Sequence, residues 1–128
     1  MAEMSNFLEN ALINATLRNT TYTSVATIYV ALYTTDPTDA DIGTEVTGGS
    51  YARTPVTFAA PSNGVSLSSA DVTFPTCTAG WGTVTHIGLR DASTFGNLLY
   101  HTPLDTSKTI DTGDIFKITT GNLSVTLA

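Results

Sequence analysis

Positive charge is scarce in this sequence. Five Lys and Arg stand against eleven Asp and Glu, a formal net charge of −6 over 128 residues. The five, Arg18, Arg53, Arg90, Lys108 and Lys117, are scattered along the chain, so no basic cluster exists to neutralise phosphates and nucleic acid is excluded as a partner. Cysteine is nearly absent: Cys77 stands alone, which rules out an internal disulfide. With no basic neighbour in sequence to activate it, Cys77 reads as a buried, inert thiol. No apolar run approaches the roughly 18 residues of a membrane span. Glu3 and Glu9 occupy the region where a secretory signal would carry basic residues, so synthesis in a cytoplasm-like setting and no membrane association are expected. Repeats and heptads are missing too, which excludes a solenoid and a coiled-coil stalk.

What the chain has instead is threonine, its commonest residue, with Ser, Asn and Gly behind it. Charged residues make up 12% of the sequence, about half of the usual quarter. Threonine is β-branched, favours strands and faces water without charge, so an uncharged, hydroxyl-rich β surface follows. The length fits one domain over residues 1–128. An N-terminal helical segment is expected within residues 1–20: Met4, Phe7, Leu8, Ala11, Leu12 and Ala15 recur at helical spacing between Ser5, which can cap it, and Arg18. Ile13 and Leu17 fall off that stripe, and pack either on a second surface such as a neighbouring subunit or on a broadened core face.

Beyond Tyr22 the period changes to two. Ile28, Val30 and Leu32 mark a half-buried strand, and short alternating runs follow at Ala52–Phe58, Val72–Phe74, Thr83–Arg90, Asn97–His101, Asp114–Ile118 and Leu123–Leu127. Turn signals such as Gly48-Gly49, Ser62-Asn63-Gly64 and Thr112-Gly113-Asp114 separate them. About seven short strands and one helix predict a mostly β fold, an antiparallel β-sandwich or jelly roll with one N-terminal helix. Residues 34–50, acidic and without a period, read as an exposed loop or arm.

No catalytic constellation emerges. Gly48-Gly49-Ser50-Tyr51-Ala52 lacks the last glycine of a nucleophile elbow and precedes a strand. His86 and His101, with Asp91 or Asp105 as conceivable triad partners, read as cross-strand packing residues. The loop Asp36–Glu45 carries oxygen ligands but misplaces the glycine and the bidentate glutamate of an EF-hand, so it reads as solvated, with no metal and no cofactor expected. A carbohydrate module would need aromatic platforms among Tyr22, Tyr29, Tyr33 and Tyr51, of which Tyr29 and Tyr33 alternate on a strand as packing residues do. Trp81, between Gly80 and Gly82, is either a surface anchor for a partner or a core residue. Arg53 and Arg90, rare cations in an acidic chain, pair with carboxylates within the fold or across an interface. Ile13, Leu17, Arg53, Trp81 and Arg90 are therefore the candidate interface residues.

Several segments in order carry a likeness over nearly the whole length: Asn6-Phe7-Leu8-Glu9-Asn10-Ala11-Leu12, Ile28-Tyr29-Val30-Ala31-Leu32-Tyr33-Thr34-Thr35-Asp36-Pro37, Gly48-Gly49-Ser50-Tyr51-Ala52-Arg53, Ala70-Asp71-Val72-Thr73-Phe74-Pro75 and Trp81-Gly82-Thr83-Val84-Thr85-His86. The chain resembles a family of small tailed-bacteriophage virion proteins, often labelled tail fibre proteins. Its size and expected fold are also similar to jelly-roll capsid cement or decoration proteins. The resemblance implies a non-enzymatic virion protein on the capsid exterior. It would clamp major capsid proteins and associate with itself as a homo-dimer or homo-trimer. A tail, baseplate or fibre-tip protein contacting the host receptor is the alternative. The lack of a trimerising stalk favours cement.

Overall fold

The computed structural model describes residues 2–127. Strand β1 (Glu3–Met4) leads into helix α1 (Asn6–Leu17), followed by β2 (Ile28–Tyr33), β3 (Thr54–Val56), β4 (Val65–Leu67), β5 (Val72–Thr73), β6 (Gly82–Arg90), β7 (Leu98–Ile110), β8 (Lys117–Ile118) and β9 (Ser124–Thr126). A five-stranded sheet runs in the order β1-β7-β6-β2-β3, and two two-stranded sheets pair β4 with β9 and β5 with β8. Every pairing is antiparallel. The expected β-sandwich with one N-terminal helix is what forms.

Alternation on the long strands builds two different faces. Val30 and Leu32 of β2, with Ile87 and Leu89 of β6, enter one apolar cluster with Val72, Phe74, Phe116 and Leu123 from the smaller sheets and their connections. Strict period two from Ile87 would turn Val84 outward. A register shift between Val84 and His86 brings Val84 back inside, which is what a bulge does. Tyr51, Phe74, Phe116 and Trp81 interlock through one stacked and two edge-on contacts with ring centroids 5.5–6.2 Å apart, arrangements that aromatic quadrupoles favour.

The other face of the large sheet is covered as well, so β2 is not half-buried as its pattern suggested. Val30, Ala31, Leu32 and Tyr33 are all buried. Helix α1 packs on β7. Ser5 caps the helix, accepting from the Leu8 amide at 3.2 Å and donating from its hydroxyl to the Leu98 carbonyl, so one buried serine ties the helix start to the sheet. Asn19, in the left-handed region at φ 53, reverses the chain so that the Thr20 amide reaches the Asn14 carbonyl at 3.0 Å, a role asparagine tolerates.

Two expectations need correction. Among the described residues nine strands form instead of about seven, because β1 and β4 are too short to show a period. The expected strand Asn97–His101 continues to Ile110 through Pro103. That proline is tolerated because β1 reaches only His101 in the register, leaving the outer edge of β7 at Pro103 beyond the end of that pairing. Residues 34–50 form a largely exposed loop, the first of the two forms expected, tied down at two points: Pro37 and Val46 are buried, and the Val46 amide donates to the Leu32 carbonyl at 3.0 Å.

Gly49 marks a place where the turn chemistry is obligatory. It sits at φ +58, and a Cβ there would lie 2.1 Å from the Ala79 carbonyl oxygen and 2.8 Å from Trp81 Nε1. Gly49→Ala is expected to cost about 1–3 kcal/mol from backbone strain and displaced packing together, read as a lowered urea midpoint.

Candidate functional site

The strand register places the polar groups on the outer face of the large sheet. Tyr33 lies opposite His86, Gly88 opposite His101, Arg90 opposite Leu98, and Glu3 opposite His101. Directly opposed residues share a face, so Glu3, Tyr33, His86, Arg90 and His101 all point away from the main core. They point toward the acidic segment. That segment is held down by its carboxylates.

Arg90 donates from Nη1 and Nη2 to the two oxygens of Asp41 at 2.8 and 2.9 Å, from Nη1 to the Tyr33 hydroxyl at 2.9 Å and from Nη2 to the Gly96 carbonyl at 3.0 Å. Arg53 makes the companion fork. Its Nε and Nη2 donate to Glu45 at 2.9 and 2.8 Å, and its Nη1 donates to the Ala92 and Phe95 carbonyls at 2.9 and 2.8 Å. The Tyr51 hydroxyl donates to Glu45 at 2.6 Å and accepts from the Leu32 amide at 3.0 Å. Both arginine side chains are only 8% exposed. Bidentate pairs of this kind are strong and directional.

Electrostatics follow the geometry. Burial by itself would raise the Glu45 carboxyl, but hydrogen bonds from Arg53 and Tyr51 outweigh it and hold Glu45 below the usual carboxylate range. Burial, then the bond to Glu45, pushes the Tyr51 phenol up, so it stays a donor. Burial would lower Arg90, yet its bonds to Asp41 and Tyr33 prevail and keep it charged. Together these residues wall an open cleft of about 820 Å³, with Phe95 at its edge. Phe95 is 87% exposed in a left-handed conformation, φ 55. Its carbonyl is gripped by Arg53, while Asp91 brackets the same turn by accepting from the Asn97 amide at 2.7 Å.

The candidate residues are thus divided. Ile13 and Leu17 project from α1 with 52% and 79% exposure. Arg53 and Arg90 are spent within the fold, the first of the two alternatives open for them. Trp81 is 5% exposed and donates from Nε1 to the Gly49 carbonyl at 2.9 Å, so the surface-anchor reading gives way to the core one. Cys77 is buried. The histidines form no triad: His101 Nε2 lies 2.7 Å from Asp39, His86 Nδ1 lies 2.8 Å from the Thr85 hydroxyl, and Asp91 is occupied by Asn97. The loop carboxylates do not converge into an EF-hand-like set, since Asp39, Asp41 and Glu45 each face a different cationic or imidazole partner. Tyr33, at 1% exposure, is no platform. Sequence reasoning passed over Phe95 and the particular partners Asp39, Asp41 and Glu45. Nothing local marks Asp41 and Asp39, because they lie 49 and 62 positions from Arg90 and His101; Glu45 lies only eight from Arg53.

A family profile described as podophage GP4 fiber I protein gp80 matches residues 3–126 of the chain. The chain belongs to that family. Membership makes it a phage virion structural protein of the fibre type, in accord with the likeness to tail fibre proteins read from its segments. No curated protein matches it. Among the described residues no helix of this fibre I family member is long and apolar enough to cross a membrane.

Proposed function

We propose that the chain is a non-enzymatic fibre subunit that works by being held in an assembly, and that it associates with copies of itself through the outer face of α1. The observation that carries this reading is the division of that helix. Leu8 is buried against the sheet, whereas Phe7, Ile13 and Leu17 stand 43%, 52% and 79% exposed. An apolar helical strip left uncovered is the usual mark of a partner surface. The charged side chains of the cleft support the same view. They neutralise one another and brace loops, leaving no nucleophile beside a base.

Capsid cement is the second reading, with the major capsid protein as partner on the head exterior. It keeps the support of a sequence without heptads or repeats. The family description favours the fibre. Counting copies in purified virions separates them: a dozen or a few dozen per particle fits a fibre, and hundreds would overturn it in favour of cement. For self-association, the double variant Ile13→Asp/Leu17→Asp is expected to sediment as a monomer at concentrations where the parent is a dimer or trimer. Losing burial of two such side chains removes about 3 kcal/mol, roughly 100-fold in association. Its unfolding midpoint should match that of the parent at concentrations low enough for both to be monomeric, because both side chains then face water.

A further inference from the structure

A second cluster on the outer sheet face lies outside the arginine network. His101, 4% exposed, has carboxylates at both ring nitrogens. Its Nε2 is 2.7 Å from Asp39 Oδ1 and 3.9 Å from Glu3 Oε2, and its Nδ1 is 3.9 Å from Asp36 Oδ1. The ligand atoms of Glu3, Asp39 and His101 all lie within 4.8 Å of one another. Three chain segments meet here: β1, the acidic loop and β7. The Asp39 contact is a hydrogen bond. At 3.9 Å the other two are beyond hydrogen-bonding range, so Glu3 and Asp36 are drawn toward a ring they do not bond.

That spacing has a second meaning. An ion with bonds of about 2.0–2.2 Å to nitrogen and oxygen holds neighbouring ligands about 3–3.5 Å apart; the 2.7 Å to Asp39 and 3.9 Å to Glu3 bracket that separation, and an ion would replace the proton now shared by His101 Nε2 and Asp39. One imidazole with two carboxylates suits zinc and similar divalent transition ions, while calcium and magnesium prefer oxygen alone. Asp36, 3.9 Å from the opposite ring nitrogen, is equally far from His86 Nε2 and accepts from the Thr38 amide at 2.9 Å, so it adds negative charge beside the ring without bonding it.

We propose that Glu3, Asp39 and His101 form a binding site for a divalent transition-metal ion of zinc type, with His101 ligating through Nε2. The inference is independent of the fibre reading. Glu3 and Asp39 are 71% and 47% exposed, so the ion can enter from solvent and complete its shell with water. Bound there, it would cross-link β1, and with it the base of α1, to the acidic loop and the sheet.

The test is calorimetric titration of zinc chloride into the full chain, paired with thermal unfolding. One site per chain is expected, with Tm rising by about 5 °C or more at saturation and no comparable response to calcium. His101 is buried, so its replacement also disturbs packing. Glu3→Gln and Asp39→Asn carry the test, each expected to weaken zinc binding at least about 10-fold while circular dichroism stays native. Absence of zinc binding, equal binding by both variants, or an equal response to calcium would each overturn the proposal.

Discussion

Replacing Trp81 by alanine lowers the stability of the fold by about 3–5 kcal/mol, a large part of the 5–15 kcal/mol that typically separates folded from unfolded domains. The indole is 5% exposed and meets Tyr51 edge-on at 5.5 Å. Its removal leaves a hole beside three aromatic rings that are themselves locked together. The Gly49 carbonyl, which accepts from Nε1, loses that donor but keeps the Thr78 amide at 3.0 Å, so the lost hydrogen bond adds only about 1 kcal/mol to the cost. Trp81→Phe should fall in between, at about 1–2 kcal/mol, since it keeps one aromatic ring in the core and loses the N–H and part of the indole volume. Urea unfolding followed by circular dichroism measures both. A loss below about 1 kcal/mol for Trp81→Ala would mean that the indole serves a partner and not the core.

Trp81 also shows where the sequence stops being informative. Its neighbours Gly80 and Gly82 fit a surface turn as well as a strand start, and only the contact with Gly49, 32 positions away, decides between them. Elements with their own period were legible: α1 lies where the stripe from Met4 to Ala15 put it, and β2 and β6 match their alternating runs closely. Two of the shorter pieces were not, since β1 and β4 have two and three residues and a period of two needs more. The acidic segment was legible as a surface loop but not in its anchoring. Its polar, aperiodic composition describes a chain facing water, yet its carboxylates are bound to Arg90 and His101 on strands distant in sequence and to Arg53, eight positions past Glu45. The scarcity of positive charge pointed to Arg53 and Arg90 as paired with carboxylates, within the fold or across an interface; which acids they choose depends on how residues 34–50 fold back beside the sheet.

That choice makes the second large effect. Arg53→Ala is expected to destabilise the protein by about 2–4 kcal/mol, toward the lower part of the range for breaking buried pairs because Glu45 keeps 23% exposure. The substitution strips Glu45 of its fork and the Ala92 and Phe95 carbonyls of their donor, so the turn presenting Phe95 should loosen along with the cleft wall. Glu45→Gln probes the same pair by pH. Since the folded carboxyl lies below the unfolded value of 4.5, its contribution is fully present above that pH. It is lost as pH falls through the folded value. Wild type should therefore exceed Glu45→Gln in stability at pH 7 and lose that advantage progressively below about pH 4.5, the two curves converging in acid. Asp71, whose carboxyl is lowered by hydrogen bonds from Thr120, contributes equally to both proteins and cancels in the difference. A gap between the curves that did not change with pH would show that Glu45 acts through shape alone, and the ionic brace assigned to Arg53 would have to be given up.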